Sequence, residues 1–385
     1  MCLFKCGKPK LSKFIFLFTL FLFIRKTILI ILKKYCSFEG TLITAWLMFG
    51  GELFIGLFNI LVEYKRLLNF KIDKFIGIPI IDSKTQSLHG KCSKVLLFFL
   101  CSILDFLYYF FLNYNVTKNY NKIFHFLDVK LSPFQLLFTS IMCFFIISQK
   151  IYLIQCFSLF VVIICLAGII SFEFLFRKNI NNMDEIKMLV FIIGSNIFLS
   201  LQYYIEKILM TYDNSTPFQI LFYEGIFGNI IMIVVSFLEI ENKFPDKNKI
   251  NKIWMLIVGF ALYFLSSCFL NIYKLSVMLL SSPTNSATCH SLSIPFILTL
   301  SYFMNKNEIE NLENKNIYIG INFVLIALTI LGCLFYNEII IFSCQKEKID
   351  SINRNASNNI KINESFNSGM QRMDGSFTTE GEESY

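Results

Sequence analysis

The chain has 385 residues, 55% of them hydrophobic and only 16% charged, with a mean hydropathy of +0.59 and a net charge of +8. Soluble domains run nearer about 45–50% apolar and about 25% charged, and 45 Phe are too many for a surface facing water. A soluble globular domain is excluded. So is a basic nucleic-acid binder, because Lys and Arg stand in short clusters between apolar runs, as topology signals do.

The predicted elements are transmembrane helices. Residues 1–13 form a short basic tail, with Cys2 and Cys6 as palmitoylation candidates or plain thiols. Phe14–Leu32 is the first span and the weakest, because Arg25 and Lys26 interrupt it and adjacent charges at depth are costly. Basic residues follow it where a cleavable signal needs small ones. Thr41–Val62 is the second span, followed by a polar connection of about thirty residues. Val95–Asn113 is the third, and 114–131 reads as a wet loop. Pro133–Ser148 is a short fourth span and Ile151–Phe172 the fifth, with a charged stretch over 173–187. Met188–Ile205, Pro217–Leu238 and Ile253–Tyr273 are spans six to eight. Ser276–Met304 is the ninth and Ile317–Tyr336 the tenth, and a polar tail over 343–385 reads as disordered.

The ninth span organises the rest. Its first half is Ser, Thr, Asn, Cys and His, bracketed by Pro283 and Pro295. Polar groups in lipid need partners, so such a segment faces other helices or a watery cavity. Asn285 and His290 are hard to hide there, and the imidazole ordinarily titrates near neutral pH. The bland alternative is a hydrogen-bonded structural His.

Ionisable residues elsewhere at depth cost about 2.5–3.5 kcal/mol each, and are kept in cavities, pairs or proton sites. Glu52, Asp105 and Glu224 are the candidates for a cavity that binds a solute or a coupling proton. Pairing with buried amides is the alternative. Glu206 and Lys207 read as a solvated helix end. Tyr108, Asn196, Tyr203 and Asn271 extend the candidate polar faces, with Lys274 just beyond the eighth span. The 12 Cys show no metal-ligand spacing, and those inside spans act as small hydrophobes. No Walker A, GxSxG, HExxH or GxGxxG sequence is present, so the reading is not an enzyme: no catalytic residues, no cofactor and no metal.

A weak internal repeat emerges. Pro133–Phe172 resembles Pro295–Tyr336, and GGELFIG at Gly50–Gly56 echoes YEGIFGN at Tyr223–Asn229. Gly50, Gly51, Gly56, Gly225 and Gly228 would let helices approach closely. The expected fold is an all-α polytopic membrane protein of ten transmembrane helices in two inverted five-helix repeats. Its parts are a tail (1–13), a first half (14–172), a lumenal connection (173–187), a second half (188–342) and a cytoplasmic tail (343–385).

Several stretches carry a family resemblance. MFGGELFIGL at 48–57, CSILDFLYY at 101–109, SPFQLLF at 132–138, IFLSLQYYIEKILM at 197–210 and TPFQILFYEGIFGNII at 216–231 are similar to the drug/metabolite transporter superfamily. SSCFLNIYKLSV at 266–277 and LTILGCLFYNEI at 328–339 extend it over most of residues 40–340. Within it, the chain most resembles the solute carrier 35 group, subfamily F, member-six type, and more distantly the chloroquine-resistance-type transporters. The resemblance implies two inverted five-helix halves and a secondary transporter of a small organic solute by alternating access. The first span departs from the pattern with Arg25 and Lys26, and the fourth is short. The ninth carries Ser286, His290 and Ser293 where relatives tend to place Arg and Asp, and the tenth lacks the Lys/Arg pair of phosphate translocators. A phosphorylated-sugar substrate is disfavoured.

The expected function is therefore secondary transport of a neutral or cationic solute, with a proton as the candidate coupling ion. The expected partners are the solute and the lipid bilayer, without nucleic acid; a homodimer stays open. The site is an internal membrane, Golgi, vacuolar or lysosomal, with both termini cytoplasmic by a slight Lys/Arg excess. The alternative is a non-transporting scaffold or trafficking protein with the same fold.

Overall fold

The computed structural model describes residues 9–36, 41–73, 89–118, 124–147, 152–176, 182–211, 215–238, 253–304 and 315–337. The cysteines at 2 and 6 and the tail over 343–385 lie outside them. The described residues form eleven α-helices and no strand. They are α1 (Pro9–Cys36), α2 (Thr41–Asp73), α3 (His89–Lys118), α4 (Phe124–Leu131), α5 (Phe134–Ile147) and α6 (Leu153–Phe176). Then come α7 (Asn182–Thr211), α8 (Pro217–Leu238), α9 (Ile253–Leu280), α10 (Pro283–Met304) and α11 (Lys315–Tyr336).

Nine stretches among the described residues are long and apolar enough to cross a membrane, against the ten expected; α10, from the polar stretch read as the ninth span, is not among them. Phe58, Leu61, Phe145, Leu153, Trp254 and Phe323 are exposed on their outer faces. A water-facing protein does not display such a belt, whereas lipid accepts it. The chain is an integral, multi-pass, all-α membrane protein.

The helices correct several boundaries. The fourth crossing is not short: α4, a turn at Ser132–Pro133 and α5 together make one crossing over Leu127–Phe145. The wet loop over 114–131 is instead the end of α3 and the whole of α4, whose Leu127, Val129 and Leu131 are buried. The polar connection after the second span is partly helical, since α2 runs to Asp73 and α3 starts at His89. The charged stretch over 173–187 begins inside α6, where Glu173 is buried.

Ser276–Met304 is not one span. Ser276–Leu280 belongs to α9, and the break falls at Ser281–Ser282. Pro283 takes the first helical position of α10, where its missing N–H is no loss. Lys207 caps the carbonyls left open at the end of α9, donating to Met278 O at 2.7 Å and Ser281 O at 3.1 Å. Lys207 is therefore a helix cap rather than a solvated end. The α8 start is a reciprocal capping box: Gln219 N–H donates to Thr216 Oγ1, and Thr216 N–H to Gln219 Oε1. Proline again follows the cap.

The main pairings are α2 with α8, α1 with α9, α3 with α7, and α6 with α11. Next come α1 with α10, α5 with α7, α2 with α9, and α3 with α8. At the α2–α8 crossing, a Cβ on Gly225 would collide with the Leu53 backbone, and one on Gly228 with the Phe49 ring. Glycine is required there for the backbones to touch. Gly56 lies as tightly against Phe222. The α6–α11 pair is antiparallel: near one end Tyr318 donates to Glu173 Oε1 at 2.7 Å, and near the other Gln155 donates to Tyr336 O at 3.3 Å.

Candidate functional site

Two polar regions lie inside the helical wall, and Tyr203 joins them. The first is a buried ionic cluster. Glu52 comes from α2, Asp105 from α3, Glu206 from α7, Glu224 from α8, and Asn271 and Lys274 from α9; all are at most 5% exposed. Lys274 Nζ donates to Glu206 Oε1 at 2.7 Å, and Gln202 Nε2 donates to the same oxygen at 2.9 Å. Asn271 Nδ2 donates to Glu52 Oε1 at 2.7 Å. Asp105 lies within the field of Lys274 and of Arg25, with the Gln202 amide beside it.

Glu224 differs from the other three acids. Neither of its carboxyl oxygens has a hydrogen-bond partner among the described residues. The weakly donating Cys101 thiol stands beside it. A buried polar group without a partner costs about 1–3 kcal/mol, more if charged.

The second region is a small polar pocket, part of it open to the outside. Tyr108, Asn196 and His290 line it, together with the Lys26–Asp128 ion pair. Lys26 Nζ lies 2.9 Å from Asp128 Oδ2, and the two side chains keep 22% and 17% of their surface accessible. Ser132, Gln135 and Ser293 supply further polar groups. Leu22, Leu199 and Ile297 supply apolar wall.

Tyr203 is buried between the regions. Its hydroxyl lies 2.9 Å from His290 Nε2, while Lys274 Nζ sits 5.6 Å from its ring centroid. His290 also meets the Phe18 ring edge-on at 5.7 Å. The sequence candidates thus fall into two groups bridged by one tyrosine: Glu52, Asp105, Glu224 and Asn271 in the cluster, and Tyr108, Asn196 and His290 in the pocket. Asn285 belongs to neither. It occupies the first turn of α10, half-buried, with Oδ1 unpartnered.

Two charged residues take positions that the sequence reading did not give them, and two more find partners that it did not supply. Glu206 is fully buried and ion-paired, not a solvated terminus, and Lys274 lies inside α9 rather than beyond it. Arg25 and Lys26 are part of α1. Arg25 stands over the Tyr109 ring at 5.7 Å, and Lys26 holds Asp128. Adjacent helical residues point in directions about 100° apart, so each finds its own partner and the costly doublet is accommodated. Asp128 itself went unnoticed because it was assigned to a loop.

A separate buried group ties α4 to α6 and α11. Lys130 binds Glu173 and donates to Tyr318 OH at 3.1 Å. Among the described residues, no group of three or more His, Cys, Asp or Glu is arranged to hold a metal. Cys101, Cys143, Cys165, Cys268 and Cys333 are buried free thiols.

No family model matches the chain, and no curated protein matches it. Solved structures do show likenesses, among them one described as "Crystal structure of protein". It is 11% identical, with a TM-score of 0.46, and the match covers 84% of this chain and 98% of that one.

Proposed function

We propose that the protein is a secondary transporter that moves a small organic solute by alternating access. The carrying observation is the polar pocket, linked through Tyr203 to a buried ionic cluster at membrane depth. Ionisable groups in lipid are costly and are retained chiefly where they do work. A concave pocket on which several polar side chains converge is where a small ligand binds.

The helix pairing supports two inverted repeats. Counting α4 and α5 as one crossing, each crossing can be exchanged for the one five places along. The α1–α9 pairing then becomes α3–α7, α1–α10 becomes α5–α7, and α2–α9 becomes α3–α8. The α2–α8 and α6–α11 pairs map onto themselves. In this scheme Glu52 and Glu224 are equivalents flanking the crossing at Leu53 and Gly225. Rocking of two such halves would expose the pocket alternately. The arrangement fits the drug/metabolite transporter resemblance, and an internal membrane with cytoplasmic termini remains the proposed setting.

Buried bases offset the acids and weigh against the expected preference for a neutral or cationic solute. Arg25, Lys130 and Lys274 are all buried. The test is flux in proteoliposomes loaded with metabolite extract, with and without a pH gradient. Glu52→Gln, Asp105→Asn and Glu224→Gln should each slow uptake by at least severalfold. Unchanged flux in all three would exclude the acid-lined pathway.

A further inference from the structure

We propose that the pocket takes a small zwitterion, its carboxylate on Lys26 and its ammonium on Asp128, with a short apolar body against Leu22, Leu199 and Ile297. Three observations carry it. First, Lys26 and Asp128 are opposite charges that line the pocket, still partly accessible and already 2.9 Å apart. A lone cation taking Asp128 would strand Lys26, and a lone anion would strand Asp128. Breaking a pair by removing one partner is strongly unfavourable in a desolvated site. A zwitterion replaces both halves of the bond at once. Among the described residues, His290 and the Tyr108 phenol are the other titratable side chains that line the pocket.

Second, the pocket floor keeps polar groups unused. Gln135 is fully buried with the Tyr203 phenol as the neighbour of its amide, its remaining hydrogen-bonding capacity is unused among the described residues, and Ser132 Oγ is unpartnered there. Both line the pocket. Buried amides are nearly always satisfied.

Third, the chain contains its own control. Ser132-Pro133-Phe134-Gln135 and Thr216-Pro217-Phe218-Gln219 are the same helix-start pattern. At α8 the Thr and Gln side chains close a capping box. At α5 the equivalent Ser132 and Gln135 leave their side chains open to the pocket instead. A donor and acceptor pair withheld from its local cap is available to a ligand.

The inference rests on the transport reading only where flux is measured; binding tests it separately. The full-length protein in detergent is titrated with alanine, valine and leucine as zwitterions, tetraethylammonium as cation and glutarate as anion. At least one amino acid should raise the melting temperature, and neither singly charged probe should match it. Lys26→Met and Asp128→Asn should each weaken that binding by on the order of tenfold or more. The charge swap Lys26→Asp with Asp128→Lys keeps the ion pair and should bind within a few-fold of the native protein. Gln135→Leu, which leaves the pair intact, should weaken binding without lowering the melting temperature of the free protein.

A cation or anion that binds as well as every amino acid overturns the proposal. So does indifference of binding to both single substitutions, or the absence of binding by any amino acid. Counterflow in proteoliposomes is measured beside it. Amino-acid binding without counterflow would sink the transport reading and leave the zwitterion site standing.

Discussion

The hydroxyl of Tyr203 and the Nε2 of His290 meet at 2.9 Å, and this contact joins α7, which carries the buried Glu206, to α10 with its small polar residues. Removing the hydroxyl leaves the imidazole without its partner. Tyr203→Phe should cost about 1–3 kcal/mol, read as a lower melting temperature in detergent. His290→Phe alone should cost a similar amount. The double variant should cost clearly less than the sum, because the cycle removes both halves of one bond. Strict additivity would show that the contact carries no energy.

Lys274 and Glu206 form a direct ion pair with almost no solvent access. Removing one partner of such a pair typically costs about 3–5 kcal/mol. Glu206→Gln or Lys274→Met alone should therefore reduce the yield of folded, monodisperse protein on size exclusion. The paired substitution should recover much of it. If the paired variant is as poor as either single one, the two residues are not coupled.

Glu224→Gln should behave in the opposite way. Among the described residues the native carboxyl oxygens take no N–H or O–H bond, so an amide of the same shape forfeits at most the weak contact with the Cys101 thiol. Its melting temperature should equal or exceed that of the native protein, whereas Glu52→Leu, which strips Asn271 of its acceptor, should lower it.

Gly225→Ala places a methyl group in the Leu53 backbone, which cannot swing aside as a side-chain tip could. The expected loss is about 1–3 kcal/mol. Gly320→Ala, where a Cβ would meet nothing within 4 Å among the described residues, is the matched control and should hold or slightly raise the melting temperature, since Ala favours the helix over Gly.

The sequence made the class legible for plain reasons. Long apolar runs admit few alternatives, so Pro217–Leu238 appears in the structure with the boundaries that hydropathy gave it. The polar helix was visible because Ser, Thr, Asn and His are out of place at depth. Its start was harder to read. Ser276–Leu280 continues α9 without a change in composition, and only Pro283 marks the break. Asp128 and Lys130 were hidden by a different effect. Three charges or polar groups in eight residues look like a loop until Lys26, Glu173 and Tyr318, all distant in sequence, arrive to satisfy them. Likewise Glu206 resembled a helix end because its partner Lys274 lies 68 positions away.

The α2–α8 crossing has a mechanical consequence. Where Gly225 touches Leu53 there is no slack, so the two helices can turn about that point more easily than they can separate. Leu238 lies thirteen residues beyond it, about 20 Å along the helix axis at about 1.5 Å per residue. A rotation of about ten degrees at the contact would then carry that end through roughly 3 Å. A fulcrum made of two bare backbones converts a small angular adjustment at the centre of the molecule into a displacement of molecular size at its rim.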